Sequence, residues 1–121
     1  MSIKRVLIVD DAAPDRTNLE QIISDHGLLV ATAKNGEEAL EKIQSDVPDL
    51  IFLDILMPGM DGFETCRNLR ANEATSKIPV VIVSSKANKA DRVWAMEQGA
   101  SAYVTKPYTA DDIHDVMQRF N

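Results

Sequence analysis

The chain has 121 residues, of which 45% are hydrophobic and 26% charged, and this composition is typical of one globular domain rather than of a disordered segment. A net charge of −6 argues against a nucleic-acid-binding surface, which needs a basic patch. No apolar run is long enough to span a membrane, and the first five residues lead directly into a strand instead of a signal peptide. We expect one domain over residues 1–121 that works in the cytoplasm, with no membrane or nucleic-acid partner. A single cysteine, Cys66, fits that reducing compartment, and we interpret it as a small apolar helix residue.

Five short apolar runs are typical of strands that are covered on both faces. They lie at residues 5–9, 28–33, 50–53, 78–83 and 102–105. Helical patterns separate them, at residues 14–27, 37–44, 63–70, 89–98 and 109–120. Pro14 suits a first helical turn, and Thr109 is placed to cap the last helix. A strand followed by a helix, five times over, predicts an α/β fold with a doubly wound parallel sheet and helices on both faces.

Polar residues stand where the predicted strands end. Asp10 and Asp11 follow the first strand and Asp54 follows the third, while Ser84 begins the loop after the fourth and Lys106 comes just after the fifth. The carboxyl ends of parallel strands share one edge of the sheet, so these side chains should converge. Three crowded aspartates need a cation, and their hard oxygens suit Mg²⁺. The hydroxyl and the ammonium suit the oxygens of a phosphoryl group, so the set predicts Mg²⁺-dependent phosphoryl transfer onto Asp54.

Each of these residues also has a simpler interpretation. Asp10 and Asp11 could cap the helix at Pro14, and Asp54 could only end a strand or cap the next turn of the chain. Ser84 could be ordinary loop chemistry, and Lys106 a solvated surface charge. Their occurrence together, at successive strand ends of one βα alternation, favours the functional interpretation.

Four motifs carry a resemblance to a known family. They are Ile8-Val-Asp-Asp11, Leu53-Asp-Ile-Leu-Met-Pro-Gly-Met-Asp-Gly62, Val83-Ser-Ser85 and Tyr103-Val-Thr-Lys-Pro107. Together they resemble the receiver domain of two-component response regulators, most closely the single-domain, chemotaxis-like type. The resemblance covers essentially the whole chain. It implies the flavodoxin-like receiver fold, with five helices and a five-stranded sheet of order 2-1-3-4-5.

The resemblance also implies residue roles. Asp54 would accept a phosphoryl group from the phosphohistidine of a histidine kinase, and Asp10, Asp11, Asp54 and the backbone carbonyl of Leu56 would hold Mg²⁺ or Mn²⁺. Ser84 and Lys106 would bind the phosphoryl oxygens, and Ser84 with Tyr103 would form the switch. Leu56 and Lys86 flank the site, where they could tune attack by water.

The signal would leave through the face formed by the fourth helix, the fifth strand and the fifth helix. On it we place Lys89, Arg92, Trp94 and Tyr103 as candidate partner contacts. Trp94, the single tryptophan, shares its helix with Val93 and Met96, and partial burial and a role as partner anchor are both open. The output protein would be bound in trans, by a monomer or a weak dimer.

Residues 73–79 and 92–100 resemble receivers of the pilus-linked chemosensory systems that control twitching motility; a flagellar or generic receiver is the alternative. Two other functions compete with a phosphorylation switch. A receiver-like module could bind its partner without phosphorylation. A small aspartyl-phosphate phosphohydrolase would use similar groups, but it would need an Asp-x-Asp pattern after the first strand, where this chain has adjacent aspartates. We expect no enzyme activity beyond the protein's own phosphorylation and dephosphorylation.

Overall fold

The computed structural model of the protein describes residues 2–86 and 88–121. In these residues, strands and helices alternate along the chain. The strands are β1 (Arg5–Val9), β2 (Leu29–Ala33), β3 (Leu50–Leu53), β4 (Val80–Ser84) and β5 (Ala102–Thr105). The helices are α1 (Ala13–Ser24), α2 (Gly36–Ser45), α3 (Gly62–Ala71), α4 (Lys89–Glu97) and α5 (Ala110–Gln118).

The strands form one parallel sheet in the order β2-β1-β3-β4-β5. This order confirms the predicted fold class. From β1 the chain passes to β2 on one side, and β3 pairs with β1 on the other. The carboxyl ends of β1 and β3 therefore flank the topological switch point, where open α/β sheets bind their ligands.

Alternate residues of the central strands point to opposite faces of the sheet, and each face has its own core. One core combines Leu7, Ile51 and Ile82 with apolar residues of α2, α3 and α4. The other combines Ile8, Phe52 and Val81 with apolar residues of α1 and α5. Burial on both faces explains why the strands are continuous apolar runs in the sequence.

Two strands, β4 and β2, begin later than predicted. The amide of Ile78 donates to Thr75 in a turn, and Pro79 has no amide hydrogen, so β4 begins at Val80. Ser84 was predicted in the exit loop, but it is the last residue of β4, paired with Thr105. In β2 the ladder begins at Leu29, whose amide donates to the carbonyl of Lys4.

Side-chain caps start four of the helices. Asn35, Asp61, Asn88 and Thr109 each accept a hydrogen bond from a backbone amide in the first turn of their helix. Thr109 thus caps α5 as predicted. Helix α1 begins differently, since its N-cap is Ala12 and makes no side-chain cap. Neither Asp10 nor Asp11 is therefore the N-cap of this helix, although Asp10 Oδ1 accepts a hydrogen bond from the amide of Ala12 at 2.9 Å, just before the helix begins.

Two polar links lie away from the carboxyl edge of the sheet. The Asp49 carboxylate accepts hydrogen bonds from the amides of Lys4 and Arg5, at 2.9 and 3.0 Å, and so joins the start of β1 to the start of β3. The Arg70 guanidinium, at the end of α3, donates to three carbonyls that precede β4 or follow α4: those of Gly99, Ser76 and Ile78.

Cys66 lies on α3 and is fully buried, which confirms its interpretation as an apolar helix residue. Burial raises the pKa of its thiol. In the described part of the chain, no helix combines the length and the apolar character that a membrane span requires.

Candidate functional site

Three carboxylates meet at the carboxyl edge of the sheet. Asp10 follows β1, Asp11 follows Asp10, and Asp54 follows β3; one oxygen from each lies within 4.8 Å of the others. Asp10 and Asp54 are buried, and Asp11 is exposed. Parallel pairing of β1 with β3 explains the convergence, because Val9 and Leu53, the residues before Asp10 and Asp54, are register partners.

The Lys106 ammonium lies among these acids. Its Nζ is 2.9 Å from Asp10 Oδ2, 3.3 Å from Asp54 Oδ2 and 2.9 Å from Oδ2 of a fourth acid, Asp15 of α1. Lys106 follows β5, and its amide donates to the carbonyl of Ser84, which holds the two strand ends together. The next peptide bond, Lys106–Pro107, is cis.

The electrostatics of the site reflect burial and crowding. Burial raises the pKa of Asp54; the Lys106 charge opposes this change, and the Asp10 charge adds to it. Burial alone would lower the pKa of Lys106, but its hydrogen bonds to Asp15 and Asp10 and the charge of Asp54 outweigh that effect, and the pKa is raised. Lys106 therefore stays positively charged, but its one charge does not fully neutralise the acids around it.

The loop between β3 and α3 folds tightly against Asp54. The amide of Leu56 donates to Asp54 Oδ1 at 3.3 Å, and the amide of Gly62 donates to the carbonyl of Ile55. A Cβ on Gly62 would lie 2.2 Å from the Asp54 carbonyl oxygen, so only glycine fits here. The Leu56 side chain is half exposed, in a shallow cleft of about 470 Å³ that Asp11, Phe63 and Lys86 also line.

On the other side of Asp54, Ser84 is fully buried at the end of β4. Its hydroxyl accepts a hydrogen bond from the amide of Lys86 at 3.2 Å. The Tyr103 hydroxyl donates to the carbonyl of Lys86 at 2.5 Å. Burial raises the pKa of Tyr103, and a hydrogen bond from Ser84 acts in the opposite direction. Ser84, Lys86 and Tyr103 thus form one connected group beside the acids.

The sequence profile of the response regulator receiver domain matches residues 6–118, nearly the whole chain. The chain belongs to the response regulator receiver family. It is thus a receiver-domain response regulator of two-component signalling, as the resemblance implied.

Individual relatives agree with this assignment. The receiver is 41% identical to the protein PilH of Pseudomonas aeruginosa over 103 residues, which cover 85% of each chain. It is 42% identical to the response regulator PleD of Caulobacter vibrioides over 113 residues, but spans only 24% of that longer protein. Its fold matches the chemotaxis protein CheY4 of Vibrio cholerae with a TM-score of 0.93 at 28% identity, covering 99% of this receiver and 100% of CheY4.

The structure brings together most of the residues that the sequence singled out for the site. Asp10, Asp11, Asp54 and Lys106 form one cluster, and Ser84 lies beside Tyr103. The simpler interpretation of Lys106 as a solvated charge is wrong, because only 16% of its side chain is exposed. The roles of Leu56 and Lys86 in tuning water attack stay predictions, although both line the cleft next to Asp11.

The candidate partner contacts Lys89, Arg92 and Trp94 lie on α4, and Tyr103 lies on β5, but they do not all contact the same neighbours. The Arg92 guanidinium lies over the Tyr103 ring at 5.1 Å and donates to Thr105 Oγ1 at 2.6 Å. Trp94 instead packs edge-on against Phe63 of α3, with 48% of its surface exposed. Lys89 is exposed in the first turn of α4. The partner role of these residues stays a prediction.

Sequence reasoning missed Asp15 as part of the site. It lies four residues after Asp11, in the first turn of α1, and its contact with Lys106 joins residues 91 positions apart. The sequence carries no signal for the pairing of Asp15 with Lys106. Tyr108 makes a second contact with α1, through Asn18.

Proposed function

We propose that this receiver is a phosphorylation switch: Asp54 accepts a phosphoryl group from a histidine kinase in a Mg²⁺-dependent reaction. One observation carries the proposal, namely three carboxylates within 4.8 Å of one another, with the Lys106 ammonium bonded to two of them. Such an arrangement leaves surplus negative charge, which is unfavourable without a further cation.

The donor set fits Mg²⁺, or Mn²⁺. Asp10, Asp11 and Asp54 supply hard oxygen ligands, and Mg²⁺ usually takes one or two carboxylates together with waters and phosphate oxygens. The backbone carbonyl of Leu56 is the fourth ligand that we propose. When bound, the ion would neutralise charge on the transferring phosphoryl oxygens.

The chain's own residues perform the rest of the transfer. A carboxylate oxygen of Asp54 forms a bond to phosphorus while the bond between phosphorus and the donor's imidazole nitrogen breaks, and its electron pair stays on that nitrogen. Lys106 and the Ser84 hydroxyl would bind the phosphoryl oxygens. Attack by water on phosphorus later releases phosphate and restores the Asp54 carboxylate, so we propose no enzyme activity on a separate substrate.

The switch would act through the residues connected to Ser84. If Ser84 turns towards the phosphoryl group, its contacts with Lys86 and Tyr103 must change, and Arg92 lies on the Tyr103 ring. A cleft of about 350 Å³ opens next to these residues, between α4, β5 and α5. We propose this face as the site where an output protein binds in trans.

The pathway that we propose is chemosensory control of twitching motility, in the cytoplasm. It rests on the 41% identity to PilH and on the resemblance of residues 73–79 and 92–100 to pilus-linked receivers. A deletion strain complemented with wild type or Asp54→Asn tests this assignment. Loss of twitching that only wild type restores would support it, and unchanged twitching in the deletion strain would contradict it.

Intact mass after incubation with acetyl phosphate, with and without Mg²⁺, tests the chemistry. We expect one added phosphoryl group that requires both Mg²⁺ and Asp54, and none on Asp54→Asn. Asp61→Asn is the matched control, because Asp61 caps α3 in the same loop and asparagine preserves a cap. If wild type gains no adduct from acetyl phosphate or from a histidine kinase, and binds no beryllofluoride, the receiver is a phosphorylation-independent binding module.

A further inference from the structure

The Lys106 ammonium has a partner outside the candidate metal cluster. Asp15 Oδ2 lies 2.9 Å from Nζ, as close as Asp10 and closer than Asp54 at 3.3 Å. In the part of the chain that the structure describes, the carboxylates grouped closely enough to share a metal ion are those of Asp10, Asp11 and Asp54. Asp15 therefore pairs with the lysine without being a candidate ligand.

An ammonium has three hydrogens to donate, and here each meets a different carboxylate. Two of those carboxylates, Asp10 and Asp54, are the buried acids that a divalent cation would need. Lys106 and the metal ion therefore compete for the same oxygens. The contact with Asp15 directs one donor of the lysine away from them, towards the more exposed side of the site, where 48% of the Asp15 side chain is exposed.

We propose that Asp15 is a positioning residue that gives Lys106 a partner outside the metal cluster, so that Mg²⁺ can displace the ammonium from Asp10 and Asp54 at a lower cost. The inference rests on the proposed function. Without the Asp15 carboxylate, the ammonium would pair only with Asp10 and Asp54, and Mg²⁺ would have to displace it from both. When Mg²⁺ binds, Asp15 would still pair with Lys106. Its negative charge would then reduce the repulsion between the lysine and the ion.

A purely structural role for Asp15 predicts a different result. An acid in a first helical turn stabilises the helix through its dipole, and its loss would lower the thermal midpoint and leave metal affinity unchanged. Asp111 in the first turn of α5 is also an exposed acid, and Asp111→Asn is therefore the matched control for dipole and net charge.

The experiment is calorimetric titration of metal-free protein with MgCl₂. We expect Asp15→Asn to raise the Mg²⁺ dissociation constant about three- to fivefold, the upper range of a partly exposed ion pair, and Asp111→Asn to change it less than about twofold. Asp15→Glu, which keeps the charge, should lie close to wild type.

A second background tests whether Asp15 acts through the lysine. In Lys106→Met, which removes the competing cation, adding Asp15→Asn should change the Mg²⁺ affinity less than about twofold. An equal loss of affinity in both backgrounds would overturn the inference, since Asp15 would then act on the ion directly by its charge. Unchanged affinity in Asp15→Asn alone would also overturn it and leave the proposed function intact. Absence of Mg²⁺ binding by wild type would overturn the proposed function, and this inference with it.

Discussion

The Tyr103 hydroxyl donates a hydrogen bond of 2.5 Å to the backbone carbonyl of Lys86. Lys86 is also the residue whose amide donates to the Ser84 hydroxyl. One peptide segment after β4 is therefore held from two sides, by a side chain of β5 and by the hydroxyl that we propose for phosphoryl binding. The position of Tyr103 is coupled to the site through this segment.

Tyr103→Phe should lower the stability of the protein without preventing its phosphorylation. It removes one hydrogen bond and retains the ring under Arg92, so the free energy of unfolding should fall by about 0.5–1.5 kcal/mol in urea titrations. Because the hydroxyl contacts Lys86 rather than Asp54, the mass adduct from acetyl phosphate should be retained. Loss of the adduct would show that Tyr103 acts in the chemistry itself.

Asp54→Asn should stabilise the metal-free protein. The substitution removes one of three carboxylates that lie within 4.8 Å of one another, and Lys106 keeps its pairs with Asp10 and Asp15. We expect the free energy of unfolding near neutral pH to rise by about 1 kcal/mol in chelator-containing buffer. Mg²⁺ should stabilise wild type more than the variant, because it binds only the folded site. A variant that is less stable than wild type without metal would contradict the crowding that we describe.

Asp49 should contribute to acid unfolding from the opposite edge of the sheet. Hydrogen bonds from the amides of Lys4 and Arg5 lower its pKa below the ordinary value. A lowered folded-state pKa gives stability that is present above the unfolded-state pKa of about 4 and is lost as pH falls through the folded value.

Asp49→Asn keeps an acceptor oxygen but removes the charge. We expect it to be less stable than wild type by about 0.5 kcal/mol at neutral pH, since hydrogen bonds to a charged acceptor are the stronger kind but solvent screens this exposed site. The difference should vanish below the folded-state pKa, and denaturation at a series of pH values measures it. Glu41→Gln, at an exposed position of α2, should show little difference throughout. A difference in the free energy of unfolding between wild type and Asp49→Asn that stays constant with pH would show that the Asp49 charge plays no part.

Gly62→Ala should destabilise the protein for a purely steric reason. The new Cβ would meet the backbone of Asp54 at 2.2 Å and of Ile55 at 2.7 Å, and neither can move without shifting the Asp54 carboxylate. We expect a loss of roughly 2–3 kcal/mol in stability together with slower phosphorylation. Gly27→Ala is the comparison: Gly27 has φ +78 and no neighbouring atom within 4 Å, so alanine there should cost only about 1 kcal/mol and leave phosphorylation unchanged.

The sequence was sufficient to predict the sheet and most of the site. Strands buried on both faces are unbroken apolar runs, and a polar residue at the end of such a run marks the edge of the sheet. Asp10, Asp54 and Lys106 could be placed together on this basis alone. The strand order depended on the family resemblance, since an alternation of strands and helices does not by itself specify which strands are neighbours.

Contacts that depend on how a helix packs on the sheet or on another helix could not be predicted. The pairing of Asp15 with Lys106 depends on how α1 is oriented on the sheet, which no local pattern encodes. The boundaries of β4 depend on where individual amides donate, as at Ile78, and on pairing between Ser84 and Thr105. Trp94 shows the same limit, because its partner Phe63 belongs to another helix.

The Arg70 guanidinium restricts how α4 can move. It donates to the carbonyl of Gly99, just beyond the end of that helix, and to two carbonyls before β4. The aliphatic part of the Arg70 side chain also occupies the space that a side chain at Gly99 would fill. The amino end of α4 begins shortly after Lys86, whose carbonyl accepts a hydrogen bond from the Tyr103 hydroxyl. Helix α4 is therefore joined to α3 beyond its carboxyl end and to β5 through Arg92, so a change at Tyr103 would reach the helix through Arg92 and the Lys86 segment rather than through Arg70.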